Sequence, residues 1–374
     1  MTDGARAASP NDGVFMRRAL SLAARGGLLT APNPRVGAVV VREGVVVGEG
    51  FHTRYGAPHA EAEALRAAGD AARGATMYVT LEPCNHHGHT PPCTESIIAA
   101  GIRHVVVAVE DPHSVARGGV ERLRAAGIEV ALGEEHEAAH AENAEFFGWL
   151  SSQRPFVQLK LALSLDGALA DHTRRPGWLS GAESRREVHV LRAAADAVAV
   201  GIGTVLADDP LLTARDVELS TGRAPTRVVF DTSARLPLTS KLVRTAREVP
   251  VVVVCWAPDP AHAAALEHAG VTLVHAPTLQ DALRALRQAK IGHLLVEGGA
   301  GLASAFMQEA LVDRLIIFRA PLVLGGGALN AFAAVPAATV HDASRWRLVE
   351  SRRVGAGDDE MTVYAPPAEG AGAI

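Results

Sequence analysis

The residues best suited to chemistry lie in two short segments of the N-terminal part of the chain. The first contains His59 and Glu61, and the second contains Cys84 and Cys93. One imidazole and two thiolates are the ligands of a hydrolytic zinc site that keeps its fourth position open for water. Glu61 is then a carboxylate that is free to move protons. The two segments predict a zinc site at His59, Cys84 and Cys93, with Glu61 as the catalytic residue.

The spacing of the cysteines leaves two ligand sets open. The order of residues resembles the signature of zinc-dependent nucleobase deaminases, in which the second thiolate comes three positions after the first. That position holds His87 here, so either an enlarged loop brings Cys93 to the metal or His87 is the ligand. The enlarged loop is favoured, because Cys93 directly precedes a predicted helix, whose N-terminal N–H groups stabilise a thiolate. A closed, purely structural zinc site would make no use of Glu61.

Alternating helices and strands are expected to position these residues. The predicted elements of the first part are strands at 36–47 (broken by a turn), 77–81, 105–109 and 128–132, and helices at 15–24, 61–68, 94–100 and 120–126. After a polar turn that ends at Pro155, a second pattern predicts strands at 156–163, 197–200, 227–230, 250–255, 293–296 and 315–318, and a helix at 184–195. This α/β order predicts sheets covered by helices. A chain of 374 residues also exceeds the size of a single core, about 250–300 residues.

Composition and charge favour a small-molecule partner. Hydrophobic residues make up 48% and charged residues 21% of the chain, and its net charge of −5 includes no Lys/Arg block. A nucleic-acid partner is therefore not expected, which weakens the alternative of a deaminase acting on tRNA. No apolar stretch approaches the roughly 20 residues that span a bilayer, so no membrane partner is expected. The first residues show no secretory signal, and a cytoplasmic location is expected.

From Phe15 to about Tyr364 the sequence resembles a known family of bifunctional riboflavin-biosynthesis enzymes. That family joins a diaminohydroxyphosphoribosylaminopyrimidine deaminase to a 5-amino-6-(5-phosphoribosylamino)uracil reductase. The most discriminating match is the long cysteine loop from Thr80 to Cys93. Further matching segments are 32–37, 50–52, 154–160, 164–167, 203–210 and 296–299.

The resemblance implies the fold and the reaction of each domain. Residues 1–150 would form a cytidine-deaminase-like, three-layer α/β domain that uses zinc. Residues 155–366 would form a dihydrofolate-reductase-like domain that uses NADPH. The implied reactions are hydrolytic deamination of 2,5-diamino-6-(5-phosphoribosylamino)pyrimidin-4(3H)-one and reduction of the ribosyl side chain to ribityl. The phosphoribosylaminopyrimidine is then the partner, and a homo-oligomer is expected.

The resemblance also implies further ligand contacts, residue by residue. Asn33 is expected to help hold the pyrimidine. Contacts with NADPH are expected at Ala162, Trp178, Thr204, Asp208, Thr232, Gly299, Ala300, Gly301, Leu302, Ala303, Ser304 and Ala305. Substrate contacts in the second domain are expected at Arg192, Leu212, Arg215, Glu297 and Pro176, the last where the family often has a polar residue.

Two features of the second half carry information of their own. The 36 basic residues include only three lysines, so a lysine retained on a buried strand, Lys160, suggests a need for a compact ammonium group. We hypothesise that Lys160 lies near the substrate ribose, the alternative being a surface lysine. The glycine-rich turn at 298–301 follows a predicted strand and precedes a helix, where backbone N–H groups can bind a phosphate. It lacks the full dinucleotide fingerprint, so a standard Rossmann fold is disfavoured.

Overall fold

The computed structural model describes residues 11–87, 91–113, 116–175, 177–219 and 221–367. The chain divides into two compact units, Met1–Ser151 and Ser152–Ile374. Each unit has its own main sheet and its own apolar core. None of the helices in these described ranges is both long and apolar enough to cross a lipid bilayer.

The first unit is built on a five-stranded sheet with helices packed against it. Its strands are β1 (Gly37–Arg42), β2 (Val45–Phe51), β3 (Thr76–Val79), β4 (His104–Val107) and β5 (Glu129–Leu132). Its helices are α1 (Asp12–Ala23), α2 (Ala60–Ala68), α3 (Cys93–Ala100), α4 (Gly119–Ala125), α5 (His136–Glu142) and α6 (Ala144–Ser151). The strand order is β2-β1-β3-β4-β5, with β1 antiparallel to both neighbours and β3, β4 and β5 parallel.

Glycines on β2 bring α2 unusually close to the sheet. A Cβ at Gly50 would lie 2.3 Å from the Ala60 carbonyl oxygen, and one at Gly48 would lie 2.3 Å from the Ala64 carbonyl oxygen. Side chains at these two positions would push the helix away, because real Cβ atoms do not approach so closely. The first turn of α2, which contains Glu61, is therefore held directly against β2.

The second unit is built on a nine-stranded sheet. Its strands are β6 (Phe156–Leu163), β7 (Ala168–Ala170), β8 (Ala197–Gly201), β9 (Thr226–Phe230), β10 (Val251–Cys255), β11 (Thr272–His275), β12 (His293–Val296), β13 (Arg314–Arg319), β14 (Leu329–Asn330), β15 (Arg347–Arg353) and β16 (Glu360–Ala365). Its helices are α7 (Ala182–Ala194), α8 (Ile202–Asp208), α9 (Lys241–Arg244), α10 (Pro260–His268), α11 (Leu279–Gln288) and α12 (Ala300–Gln308). The strand order is β11-β10-β9-β8-β12-β6-β13-β16-β15, and β7 pairs with β14 separately.

The seven strands from β11 to β13 in this order are parallel, and β16 and β15 extend the sheet in antiparallel fashion. The carboxyl ends of the parallel strands therefore meet along one edge of the sheet. Ligands of open α/β sheets bind at this edge. The alternating organisation expected for both parts of the chain is confirmed.

Candidate functional site

His59, Cys84 and Cys93 come together in the first unit. His59 immediately precedes α2, Cys84 lies in the loop after β3, and Cys93 is the first residue of α3. The His59 Nδ1 atom lies 3.5 Å from the Cys84 sulfur and 3.3 Å from the Cys93 sulfur. Such separations suit donors sharing a tetrahedral zinc, with Zn–S bonds of about 2.3 Å and Zn–N bonds of about 2.0 Å. The donor set therefore fits zinc.

The surroundings favour a thiolate at Cys84. Hydrogen bonds from the Cys93 thiol and from His59 lower the pKa of Cys84 to about 4, against the opposing effect of burial. The backbone N–H of Cys93 also donates to the Cys84 sulfur, at 3.4 Å. Metal binding requires deprotonated sulfur ligands, so this arrangement prepares one of the two thiols.

Glu61 is buried beside the cluster without belonging to it. Glu61 is the second residue of α2 and is only 3% exposed. Among the described residues, the group of potential metal ligands contains His59, Cys84 and Cys93, and not Glu61. Burial raises the pKa of Glu61 to about 7, against the opposing charge of His59. A carboxyl group that titrates near neutrality can both accept and return a proton.

His87, the alternative ligand, lies away from the cluster. Its side chain is 74% exposed, and its Nε2 atom lies 3.5 Å from a carboxylate oxygen of Glu95. Among the described residues, the structure thus brings Cys93, at the start of α3, together with His59 and Cys84. Residues 88–90 of the loop lie outside the described residues.

A cavity of about 290 Å³ opens beside these residues. Residues of its wall are Pro32, Asn33, Pro34, Val36, His52, Tyr55, Gly56, Ala57, His59, Glu61, Leu81, Glu82, Cys84, His86, Asp111, His113, Ala116, Phe146 and Trp149. The Asn33 Nδ2 atom lies 3.3 Å from His52 Nε2, and His52 Nδ1 lies 3.1 Å from the Pro58 carbonyl oxygen. The side-chain amide of Asn33 is thereby held on the wall of the cavity.

Glu82 is a residue that the sequence analysis missed. Its carboxylate accepts hydrogen bonds from the backbone N–H groups of Asp111, Gly118 and Val120, at 2.9, 3.1 and 2.9 Å. Glu82 stands two residues before Cys84, so these bonds join the ligand loop to the segment that borders the cavity. The only local signal was its place beside the Pro-Cys pair, since its partners lie 29 to 38 residues further along the chain.

A second charged cluster lies in the second unit, where Glu297 follows β12. Arg192 from α7 donates twice to the Glu297 carboxylate, at 2.5 and 3.0 Å, and Lys160 Nζ lies 3.9 Å from it. The three side chains are only 12–14% exposed. Burial disfavours the charged form of Glu297, but the charges of Arg192 and Lys160 outweigh it and hold its pKa below the usual range. Glu297 therefore stays ionised.

The remaining expected substrate contacts border this cluster or lie outside the described residues. Arg192 also donates to the Thr213 carbonyl oxygen at 3.1 Å, which places the neighbouring Leu212 near the cluster. The Arg215 backbone N–H donates to His189 Nδ1 at 3.2 Å, and the Arg215 residue is exposed. Pro176 lies outside the described residues.

Most of the expected NADPH contacts lie at one edge of the sheet. Ala162 is on β6, Thr204 and Asp208 are on α8 after β8, Thr232 follows β9, and residues 299–305 follow β12. A Cβ at Gly299 would lie 3.3 Å from the Thr204 hydroxyl oxygen, and no side chain caps α12. The N-terminal end of α12 therefore lacks a side-chain cap, and backbone N–H groups at such an end can bind an anion. Trp178 is 79% exposed, with the Arg185 guanidinium 5.2 Å from its ring centre.

Comparisons with known proteins match both units. Residues 155–357 match the family model of the RibD C-terminal domain, and residues 9–109 match that of the cytidine and deoxycytidylate deaminase zinc-binding region. The riboflavin biosynthesis protein RibD of Aquifex aeolicus (strain VF5) is 45% identical over 84% of this chain and 88% of its own. The Escherichia coli (strain K12) protein of the same name is 39% identical over 92% of this chain and 97% of its own.

Solved structures agree with these matches. Acinetobacter baumannii RibD, form 1, has a TM-score of 0.78 at 39% identity and covers 96% of this chain and 99% of its own. A diaminohydroxyphosphoribosylaminopyrimidine deaminase/5-amino-6-(5-phosphoribosylamino)uracil reductase from Thermotoga maritima has a TM-score of 0.75 at 36% identity, covering 95% and 99%. The expected fold class, the bifunctional activity and the use of zinc and NADPH are confirmed. The chain belongs to the RibD family, whose members carry out a deamination and then a reduction in riboflavin biosynthesis.

Proposed function

We propose that His59, Cys84 and Cys93 hold the zinc of the deaminase and that Glu61 is its catalytic residue. The observation that carries this assignment is a cluster of three donors with a buried carboxylate beside it that is not a donor. When bound, zinc would act as a Lewis acid and lower the pKa of a water molecule. Glu61 then takes a proton from the attacking water and delivers it to the departing amine. Its pKa of about 7 suits both transfers.

The proposed substrate of the first unit is 2,5-diamino-6-(5-phosphoribosylamino)pyrimidin-4(3H)-one. The Thermotoga maritima relative is named as a deaminase of this class of compound. The cavity of about 290 Å³ has room for a pyrimidine and part of its substituent. Asn33, held by His52, is positioned to bind a polar edge of the ring.

In the second unit, we propose that Lys160, Glu297, Arg192, Leu212 and Arg215 bind the deaminated product. NADPH supplies the hydride that reduces C1 of the ribosyl side chain. The guanidinium of Arg192 is already bound by Glu297 on two nitrogens, whereas Arg215 is exposed. Arg215 is therefore the better candidate for the terminal phosphate, which guanidinium binds bidentately. Lys160 and Glu297 are left to meet the polar groups of the ribose.

Separate assays of the two activities test these assignments. Ammonia release from the diaminopyrimidine and NADPH oxidation with the deaminated product are measured on the same full-length protein. Glu61→Gln is expected to slow ammonia release strongly and leave NADPH oxidation unchanged. Arg215→Ala is expected to raise KM for the deaminated product in NADPH oxidation alone. Equal loss of both activities in either variant would contradict the assignment of that residue.

We also propose residues 1–150 and 155–366 as the deaminase and reductase domains, in a homo-oligomer that acts in the cytoplasm. Both domains would act on small molecules. The terminal strand β15 supports assembly, because Leu348 and Val349 are 54% and 42% exposed on it. The three free cysteines suit a reducing compartment. Light scattering coupled to gel filtration tests the assembly, and a monomeric mass would contradict it.

A further inference from the structure

Beyond the start of α12, where the phosphates of the cofactor are expected, the neighbouring strands end in register at the same edge of the sheet. In the order β12-β8-β9-β10, Gly201 at the end of β8 pairs with Phe230 of β9, and Phe230 pairs with Val254 of β10. Neighbouring strands lie about 4.8 Å apart, so the end of β10 is roughly 14 Å across the sheet from β12. An extended dinucleotide has this reach. If its phosphates lie at the start of α12, its adenosine half reaches the ends of β9 and β10.

The turn after β9 presents an arginine at this place. The Ala234 backbone N–H donates to the Asp231 carbonyl oxygen at 2.9 Å, which closes the turn. Arg235 follows directly, with a side chain that is 62% exposed. Its Nε atom lies 3.5 Å from an Asp231 carboxylate oxygen, a long contact that leaves the other two guanidinium nitrogens available. Such a guanidinium can bind a phosphate group bidentately.

The acidic residue of the same turn is withdrawn from the surface. In Rossmann-type sites, which this unit resembles only in binding at the ends of parallel strands, a carboxylate binds the ribose 2′-hydroxyl of NADH. An arginine nearby accommodates the 2′-phosphate of NADPH. The Asp231 side chain is 0% exposed, so it cannot meet a ribose. The exposed charge at this strand end is therefore the positive one of Arg235.

The end of β10 adds a large exposed aromatic side chain. Trp256 is 57% exposed, and the backbone N–H groups of Trp256 and Ala257 both donate to the Thr232 carbonyl oxygen at 2.9 Å. These bonds fix the tryptophan beside the turn that carries Thr232 and Arg235. An indole ring provides a flat apolar surface that suits a purine base.

We propose that Arg235 binds the 2′-phosphate of NADPH and makes the reductase prefer NADPH over NADH, while Trp256 contacts the adenine. This inference rests on the proposed NADPH-dependent reduction and on placing the cofactor at α8, α12 and Thr232, the segments expected to contact NADPH. It assigns cofactor preference to residues outside the segments expected to contact NADPH. No part of the reduction itself depends on Arg235, because its role is to select the cofactor.

The test measures binding of two fragments to the full-length protein by calorimetry, without turnover. Adenosine 2′,5′-bisphosphate carries the 2′-phosphate, and adenosine 5′-monophosphate lacks it. Arg235→Ala is expected to weaken binding of the bisphosphate by about 10-fold to 100-fold, the loss of a charge-assisted hydrogen-bonded pair, and to leave the monophosphate unchanged. Arg235→Lys keeps the positive charge without the planar guanidinium. Its affinity for the bisphosphate is expected to lie between those of the unchanged protein and Arg235→Ala.

Arg284→Ala is a matched control, because Arg284 is 54% exposed and lies 3.4 Å from an Asp281 carboxylate oxygen on α11. It is expected to bind both fragments as the unchanged protein does. Trp256→Ala is expected to weaken the binding of both fragments equally. Trp256→Phe, which keeps an aromatic ring, is expected to retain most of the affinity of the unchanged protein. Unchanged bisphosphate binding in Arg235→Ala would overturn the inference and leave the cofactor position intact. Failure of the unchanged protein to bind either fragment would instead overturn the cofactor position on which the inference rests.

Discussion

The backbone N–H of Cys93 donates to the sulfur of Cys84 at 3.4 Å, so a direct hydrogen bond joins the two proposed sulfur ligands of zinc. Cys93 opens α3, and the N-terminal end of a helix stabilises a nearby thiolate. The fold itself therefore holds the two sulfurs close together. This explains how a loop longer than that of the common deaminase signature can still present both ligands.

Replacing Cys93 by alanine is expected to remove zinc from the protein. Two donors remain in the variant, too few for the three protein ligands of a catalytic zinc site, and zinc affinity is expected to fall by more than about 100-fold. Zinc content by plasma emission spectroscopy and ammonia release are the measurements. The matched control is His87→Ala, which is expected to keep both, because His87 is 74% exposed and away from the cluster. Zinc retained in Cys93→Ala and lost in His87→Ala would reverse the assignment.

Glu61→Gln is expected to lower the rate of ammonia release by about 10²-fold to 10⁴-fold, the usual contribution of a general acid–base group. The amide is close in size to the carboxyl group but cannot carry the proton. Zinc content is expected to stay the same, since Glu61 is not among the donors. Loss of zinc in this variant would show that Glu61 is a ligand instead.

Glu82→Ala is expected to loosen the segment that borders the deaminase cavity. The change leaves three N–H groups without their acceptor, and the two buried ones, of Asp111 and Val120, cost about 1–3 kcal/mol each. Hydrogen exchange of the peptides covering Asp111 to Val120 is expected to accelerate, with weaker zinc binding as a consequence. Glu95→Ala is the control, because Glu95 is 54% exposed on α3. Unchanged exchange in Glu82→Ala would refute this role for the carboxylate.

Glu297→Ala is expected to destabilise the second unit and abolish NADPH oxidation. It leaves Arg192 and Lys160 buried without their counter-charge, which typically costs about 3–5 kcal/mol. Glu297→Gln keeps an acceptor for Arg192, so its unfolding temperature in a thermal melt is expected to be higher than that of Glu297→Ala. Ammonia release from the first unit is the internal reference in both variants. If both variants melt like the unchanged protein, the cluster contributes nothing to stability.

Sequence alone predicted those elements that have strong hydrophobic patterns. The strand expected at 156–163 is observed as β6, and the strand expected at 293–296 is observed as β12. The antiparallel extension by β15 and β16 was not predicted. Five of the seven residues of β15 are polar or charged and nearly all are exposed, so neither an apolar run nor an alternation marks it as a strand.

The same contrast holds for the sites. The zinc site was predictable because its residue types and spacing match a known motif, at His59, Glu61, Cys84 and Cys93. The role of Glu82 was not predictable, because its partners are backbone N–H groups, which every residue except proline possesses. Its role depends on a chain reversal that only the folded structure defines.

The close contact between α2 and β2 through Gly48 and Gly50 bears on how the deaminase could change during evolution. His59 and Glu61 lie at the start of the same helix, so a bulkier residue at either glycine would displace the proposed metal ligand and the proposed proton carrier together. Cys84 and Cys93 belong to other elements and would keep their positions. A substitution at Gly48 or Gly50 would therefore move the His59 imidazole away from the two sulfurs. Selection for deamination is expected to conserve both glycines, although neither has a side chain that could contact the substrate.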